Sequence, residues 1–327
     1  MHEPFTGPIF TVDGLAFHWE DVVLHARGTG RWRALEDDVR LGLAACAALD
    51  AAPDADAETF VEQQADEFRY ERDLLTAAEM EAWIERHGLT VRGWYECVRG
   101  ISLRNLWHDR ADELLERHAP DEAAVAAALD AELACTDLPR TLAEALAADA
   151  AAAAASRAWA TPPADRRLLV DDIIANARRF REAARTPDAV AHEIQSRRMD
   201  WVRVECLMAN FADPAQAREA VLCAREDRLP LDQVARDARV EAEEIAFILD
   251  DLEPDLRGRF VSTRVGEVIG PVEREEGNLV FQVTARATPE PTDEELAARA
   301  ADIIEQRVVG VEVERRVRWT ASRADAA

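Results

Sequence analysis

The sequence predicts an α+β protein that is mostly helical, with a small antiparallel sheet near its C-terminal end. Three observations support this prediction. Apolar residues recur at helical spacing through most of residues 17–199. The residues from Trp201 to Met208 then alternate between apolar and polar, as a half-buried strand does. Finally, the stretch 264–285 carries Gly266, Gly270 and Gly277, which indicate turns around a short buried strand.

Composition limits the class of protein. The chain of 327 residues is long enough for one large or two modest domains. Its 48% apolar and 32% charged residues are typical of a globular protein. A formal net charge of −26 repels phosphate backbones and anionic lipids, which argues against nucleic acid and membranes as partners. The same acidity also occurs without functional meaning in proteins of GC-rich genomes and salt-tolerant organisms.

Cysteine usage and the first residues predict a cytoplasmic protein. The five cysteines are widely spaced, odd in number and contain no C-x-x-C pair, so they indicate a reducing compartment. The N-terminal residues show neither the basic start nor the apolar run of a signal peptide. No uncharged apolar stretch reaches the roughly 18 residues that a membrane span needs.

The N-terminal part predicts a short strand followed by helices. Residues 8–15 read as a strand that enters an Asp13-Gly14 turn, and helices are expected over 17–26, 33–51 and 57–72. Thr76 with Glu79 three residues later predicts a capping box. Gly88 then ends that helix and Thr90 begins the next one.

Residues 103–199 are Ala-rich and predicted to be helical, with an amphipathic helix over 166–184. Prolines interrupt them, and Thr161-Pro162-Pro163 is the strongest internal hinge. The segment of about 119–192 is either an insertion that elaborates the helical domain or an arm that faces the substrate.

The C-terminal third changes character. After the strand at Trp201, Asp213 and Pro214 predict a helix start, and short helices are expected over 231–238, 241–249 and 256–260. The final strand follows Gly277. A helix over 292–307 and a strand over Val311–Trp319 close the chain, and we expect that strand to pair near Ile9–Val12.

Two stretches resemble a known family. The residues Val265-Gly-Glu-Val-Ile-Gly-Pro-Val, followed by Gly277-Asn-Leu-Val-Phe-Gln-Val, resemble the end of a parvulin-type peptidyl-prolyl isomerase domain. Upstream, the helix pair of residues 68–101 resembles the chaperone domain of SurA and PrsA proteins. The resemblance implies three segments: a SurA-like helical domain over 1–200 with the insertion 119–192, a parvulin-like domain over 201–286, and a helix and strand over 287–327 that return to the N-terminal domain.

Motifs for other chemistry are missing from the sequence. It contains no P-loop, no dinucleotide fingerprint, no H-E-x-x-H and no G-x-S-x-G. His18 and His25 could share a helix face, but two imidazoles without a third ligand predict no metal site. The many paired carboxylates are typical of solvated faces in an acidic chain. We therefore expect neither a metal nor a cofactor.

The resemblance also implies a peptide groove, in which two histidines normally lie over an aromatic floor. Aligned strand to strand, Glu205 takes the place of the first histidine and Leu279 that of the second. The predicted peptide contacts are Leu207, Phe247, Asp255, Phe260, Asn278 and Leu279. Trp83, Trp94 and Trp107 are further candidate contacts, although side chains of this kind are more often core residues than groove residues.

Together these residues predict a parvulin-like pseudoenzyme, a non-catalytic chaperone that binds a peptide or unfolded protein. The resemblance extends to PpiC-related proteins of peptide-maturation systems, which implies a ribosomally made precursor peptide and its modifying enzymes as partners. Two alternatives stay open. One is an active enzyme, either a residual prolyl isomerase or a maturation enzyme that uses acids such as Glu205. The other is a structural subunit of a larger complex. The sequence does not indicate an oligomeric state.

Overall fold

The structure is a computed structural model that describes residues 5, 7–156 and 164–320. It confirms the predicted fold class, because the chain is mostly helical and carries small antiparallel sheets. Two compact units are present: a helical unit of residues up to Ala183 and from Arg307 onward, and a sheet unit of Ala184–Gln306. The domain boundaries drawn from the sequence stay predictions. The predicted hinge at Thr161–Pro163 lies outside the described residues.

The helical unit consists of a short sheet and a series of α-helices. Its elements are β1 (Phe10–Val12), β2 (Leu15–Phe17), α1 (Trp19–Gly28), α2 (Arg31–Ala51), α3 (Ala55–Glu71), α4 (Ala77–Arg86), α5 (Val91–Leu106), a 3-10 turn (His108–Arg110), α6 (Ala111–Arg117), α7 (Glu122–Cys135), α8 (Leu138–Ser156) and α9 (Arg166–Ala184). The described helices lack the length and apolar character that crossing a bilayer requires.

The helix pair predicted from local signals is confirmed. Glu79 N–H donates to the Thr76 hydroxyl over 3.3 Å, and the Glu79 carboxylate accepts from Thr76 N–H over 2.8 Å. Thr90 caps α5 by accepting from Gly93 N–H. These reciprocal bonds satisfy backbone donors that a helix start leaves unpaired, so the boundaries are set by residues a few positions apart.

Helix α8 of the Ala-rich stretch forms a buried packing surface. Ala143, Ala147 and Ala150 of α8 are fully or almost fully buried in the core of the helical unit. A second close approach occurs between α2 and α5, where a Cβ on Gly42 would lie 2.9 Å from the Gly100 carbonyl oxygen. Small side chains at these positions allow the helix backbones to approach each other closely.

A three-stranded sheet brings the two chain ends together, and it corrects two predictions. The C-terminal strand β7 pairs with β1 as expected, with Phe10 opposite Trp319. It is limited to Val317–Trp319, however, because α14 (Glu294–Arg316) continues through the residues predicted as strand. Residues Glu312 and Arg316 form an ion pair one helical turn apart at 2.5 Å, a contact that favours helix there. Phe17, predicted as a helix start, lies in β2 opposite Phe10.

The sheet unit contains one four-stranded antiparallel sheet with helices. Its elements are α10 (Pro187–Ser196), β3 (Arg203–Phe211), α11 (Pro214–Glu226), α12 (Leu231–Asp237), β4 (Ala242–Ile248), a 3-10 turn (Leu249–Asp251), α13 (Pro254–Ser262), β5 (Val268–Arg274), β6 (Gly277–Ala287) and the first part of α14. The strand order is β4-β3-β6-β5, so the two central strands are β3 and β6.

The helix predicted over 241–249 is wrong, because residues 242–248 form strand β4. Glutamate and alanine, both frequent in helices, dominate its first half. Pairing with β3 overrides this preference. The two strands form seven residue pairs, from Arg203↔Ile248 to Ala209↔Ala242. Pairing with a strand more than 30 residues away cannot be predicted from the local sequence.

The glycine-punctuated stretch forms the β5–β6 hairpin, as the turn residues predict. Gly277 begins β6 at φ 143°, a conformation that side chains rarely adopt. A Cβ there would also lie 2.3 Å from Asn210 Oδ1. The Gly270-Pro271 peptide bond is cis, and the register of β5 with β6 shifts between Ile269 and Val272.

Candidate functional site

The four-stranded sheet has two faces that differ in how far they are covered. On the first, the covered face, Leu207, Ala209 and Phe211 of β3 pack with Val268 and Val280 against α11 and α12. Ala209, Phe211 and Val280 are completely buried. Since successive side chains of a strand alternate, Val204, Cys206 and Met208 point to the opposite face.

That opposite side, the open face, presents a row of half-buried apolar side chains. They are Met208 of β3, Ile245 and Phe247 of β4, and Leu279 of β6. Behind them lie buried neighbours from the same sheet and from α13. Large apolar side chains that stay partly in water form a surface to which an apolar ligand can bind favourably, because binding displaces that water.

A fixed aromatic group supports the open face. Phe260 of α13 is 0% exposed. Its ring centroid lies 4.9 Å from that of Phe247 and 5.4 Å from that of Phe281, with interplanar angles of 78° and 73°. This edge-to-face geometry is the favourable one for aromatic pairs, so Phe260 holds the Phe247 ring in place.

Arg286 ties α13 to the sheet beside this aromatic group. Its Nη1 donates to the carbonyl oxygens of Phe260 and Thr263, over 2.7 Å and 2.6 Å. These carbonyls lie at the C-terminal end of α13, where a cation is favourable and where backbone acceptors lack helical partners. The open face is therefore bordered by a helix whose position is fixed by hydrogen bonds as well as by packing.

The two positions aligned with the histidines do not come together. Asn210 is the cross-strand partner of Leu279, which places Leu279 on the open face. Glu205 is an odd number of residues from Asn210, so it points to the other side, and it is exposed. The residues of β3 that share the face of Leu279 are Cys206, Met208 and Asn210. The alternation of β3 itself could have shown this.

The predicted peptide contacts also divide between the faces. Phe247 and Leu279 are half-buried on the open face, while Phe260 lies completely buried between α13 and this face. Leu207 and Asn278 belong to the covered side. The Asn278 side chain is 6% exposed and donates from Nδ2 to the Phe211 carbonyl oxygen over 3.1 Å, a structural bond.

Two other groups of predicted contacts lie elsewhere. Asp255 is exposed near the start of α13. Trp83 and Trp94 are buried in a core cluster of the helical unit, so neither can meet a peptide there. Trp107 is half-buried and lines a cleft of about 580 Å³, with the Arg110 guanidinium 5.3 Å from its ring centroid.

The buried thiol of the open face is chemically quiet. Burial raises the pKa of Cys206 to about 12, because the charged thiolate would lose its hydration. A thiol with this pKa is neutral at physiological pH and is a poor nucleophile. In addition, the seven histidines of the chain all precede residue 193, so no imidazole belongs to this sheet.

The helical unit contains a buried polar cluster of a different kind. Asp149 of α8 accepts hydrogen bonds from His25 Nε2, at 2.8 Å, and from the guanidinium of Arg181. Burial opposes ionisation of this carboxyl, but the bonds from His25 and Arg181 outweigh it and hold the pKa of Asp149 below its usual range. The cluster joins α1, α8 and α9. The described residues form no group of three or more His, Cys, Asp or Glu suited to a metal ion.

Comparisons with known proteins find remote structural similarity. No protein-family model matches the chain, and no curated protein matches it in sequence. A crystal structure of the peptidylprolyl isomerase PrsA from Bacillus anthracis is 10% identical, covers 72% of this chain and 93% of its own, and has a TM-score of 0.30.

A second similar structure belongs to a description of two structurally related SurA-like chaperones of Campylobacter jejuni, PEB4 and Cj1289. It is 9% identical, covers 97% of this chain and 100% of its own, and has a TM-score of 0.22. Both structures belong to the class that the sequence motifs resemble, at identities and TM-scores too low to establish membership.

Proposed function

We propose that the open face of the sheet binds extended apolar segments of polypeptide, and that the protein acts as a non-catalytic peptide-binding chaperone. The observation that carries this proposal is the row of half-buried side chains Met208, Ile245, Phe247 and Leu279, in which Phe247 packs edge-on against the fixed ring of Phe260. A rigid aromatic floor with partly exposed aliphatic neighbours suits the side chains of an unfolded segment, because it buries them at little entropic cost to the protein.

The absence of catalysis is part of the proposal. An imidazole pair is what the resembling isomerases bring to their groove, and the sheet carries Leu279 and no histidine. The Cys206 thiol is held neutral by its raised pKa of about 12. Binding without bond making therefore fits the chemistry of the open face.

The proposal extends to the client and the compartment. The resemblance to PpiC-related proteins favours a ribosomally made precursor peptide, held while its modifying enzymes act. Five cysteines that are free thiols suit a reducing compartment, so we place the protein in the cytoplasm.

Binding to a labelled apolar peptide tests the proposal. Titration of a fluorescent, uncharged valine- and threonine-rich peptide should give saturable anisotropy with the wild-type protein. Phe247→Ser should weaken binding by about tenfold or more, because it removes the aromatic ring of this row. The matched control is Leu222→Ser, which changes a side chain 59% exposed on α11. Equal affinities of Phe247→Ser and the wild type would contradict the proposal.

A protease-coupled proline-turnover assay addresses the enzyme alternative. Glu205 is exposed and lies on the opposite side of the sheet from Leu279, so these two residues cannot act on one bond. We expect no acceleration of X-Pro isomerisation by the wild type and no difference in Glu205→Ala. Acceleration that is lost in Glu205→Ala would establish the enzyme instead.

A further inference from the structure

The two edges of the four-stranded sheet differ in how they are protected. Strand β5 carries Pro271, which lacks a backbone donor, and its register shifts between Ile269 and Val272. The Arg225 guanidinium also donates to the Val268 carbonyl oxygen over 3.0 Å. Proline and irregular register are among the features by which natural proteins prevent an edge strand from pairing further, as are charged side chains on the edge.

Strand β4 carries charged side chains but neither a proline nor an irregular register. All seven of its residues pair with β3 in unbroken register, and it contains no proline. On its outer side it pairs with no other strand of the described chain. A regular edge of this length is a template on which an extended peptide can add as a further strand.

The charges along β4 discriminate between partners. Glu241, Glu243 and Glu244 are exposed. In the described parts of the chain, none of the three forms an ion pair. A second copy of the same edge would bring carboxylates against carboxylates, which is unfavourable on adjacent strands. A segment with cationic side chains would meet opposite charges instead. The edge therefore opposes self-association and favours basic strands.

The alternation of β4 specifies where each kind of side chain would fall. Glu243, Ile245 and Phe247 share the open face, while Glu244 points to the other side. A strand added beside β4 would therefore place apolar side chains next to Ile245 and Phe247. In a strictly alternating peptide the cationic side chains would then lie on the other side of the sheet, next to Glu244.

We propose that the outer edge of β4 accepts an extended basic peptide as a fifth strand, with arginine or lysine residues interspersed among apolar ones. This inference rests on the proposed function, since it names the class of peptide and the manner in which the open face holds it. Backbone hydrogen bonds to the edge supply register, the open face takes the apolar side chains, and the three glutamates select the charge.

The test uses the full-length protein and three labelled peptides of equal length. They alternate valine with arginine, with glutamate or with threonine. The arginine peptide should bind at least tenfold more tightly than the glutamate peptide at low salt, and this difference should shrink as salt rises. Glu243→Arg with Glu244→Arg should reverse the preference between the arginine and glutamate peptides.

Backbone methylation separates strand addition from simple charge attraction. Two further arginine peptides carry N-methyl groups on alternate residues, in opposite phases, so that each lacks one set of N–H donors. One phase should lose at least tenfold in affinity and the other should change little, because only one row of donors faces β4. Equal binding of both methylated peptides, or equal binding of the arginine and glutamate peptides, would overturn this inference. Loss of threonine-peptide binding in Phe247→Ser would still support the proposed function in that case.

Discussion

The covered and open faces of the sheet consist of the same strands, but they differ in how completely their side chains are buried. On the covered face Phe211 and Val280 are 0% exposed, and two helices shield them from water. On the open face α13 shields Phe260, Phe281 and Cys206 but leaves Phe247 and Leu279 half-buried. One face is complete as a core, and the other holds apolar surface that a ligand could still bury.

The difference separates side chains that stabilise the fold from those available for binding. A residue in the middle of a closed core contributes its full transfer free energy to folding and has no surface to offer a ligand. A half-buried residue contributes less to folding and retains free energy that binding can release. Substitutions on the covered face should therefore lower mainly the free energy of unfolding. Substitutions on the open face should lower mainly the affinity for peptide.

The largest effect on stability is expected on the covered face. Phe211→Ala should lower the free energy of unfolding by about 3–5 kcal/mol, because it removes a completely buried ring and leaves a cavity. Urea unfolding followed by circular dichroism measures this change. A loss below about 1 kcal/mol would mean that the covered face is not a closed core.

Two rings on the other side sharpen the comparison. Phe260→Ala should cost about 3–5 kcal/mol, as for any fully buried phenylalanine, whereas Phe247→Ala should cost about half as much because its ring is partly exposed already. The same urea experiment decides between them. Equal losses would show that Phe247 belongs to the core and not to a binding surface.

The Asn278 amide offers a smaller test of the covered side. Asn278→Ala should lower stability by about 1–2 kcal/mol, since it removes a buried hydrogen bond to the Phe211 carbonyl oxygen. Its effect on peptide affinity should be negligible, as the side chain is 6% exposed and points away from the open face. A variant that keeps its stability and loses the peptide would reverse the assignment of the two faces.

A smaller, pH-dependent effect comes from Cys206. Burial raises the pKa of its thiol to about 12 from an ordinary value near 9.0, so above pH 9 the unfolded chain releases this proton and the folded chain retains it. The contribution of the thiol to stability is thus complete below pH 9 and declines as pH rises towards 12. Linkage gives a loss of about 1 kcal/mol by pH 10. The wild type should lose this much more stability than Cys206→Ala between pH 7 and pH 10, and parallel pH profiles would contradict it.

Local signals in the sequence were sufficient for much of the helical unit. The capping box of Thr76 and Glu79 and the helix start at Thr90 involve residues three apart, and the structure contains each of them. The amphipathic helix over Arg166–Ala184 was likewise predicted from its periodicity, and its bounds agree with the structure. Such features are encoded within a few turns of chain.

Features that depend on distant partners were harder to predict. The local sequence of β4 predicts a helix, but pairing with β3 makes it a strand. The end of α14 is predicted as a strand, but it is helical and contains the ion pair of Glu312 with Arg316. For the candidate site, motif alignment predicts Leu279, and Phe247 is predicted as an exposed aromatic contact; both stay predictions. The alignment does not indicate Met208, because it matches the family's first histidine to Glu205, which the alternation of β3 directs to the other face.

Amide chemical-shift mapping would locate the peptide-binding surface. In a ¹H–¹⁵N TROSY titration of the uncharged valine–threonine peptide, we expect shifts concentrated in β4, β6 and α13, around Phe247 and Leu279. The amides of α11 and α12, behind the covered face, should stay unchanged. Shifts confined to α11 and α12 or to the helical unit would contradict the assignment of the open face as the peptide-binding surface.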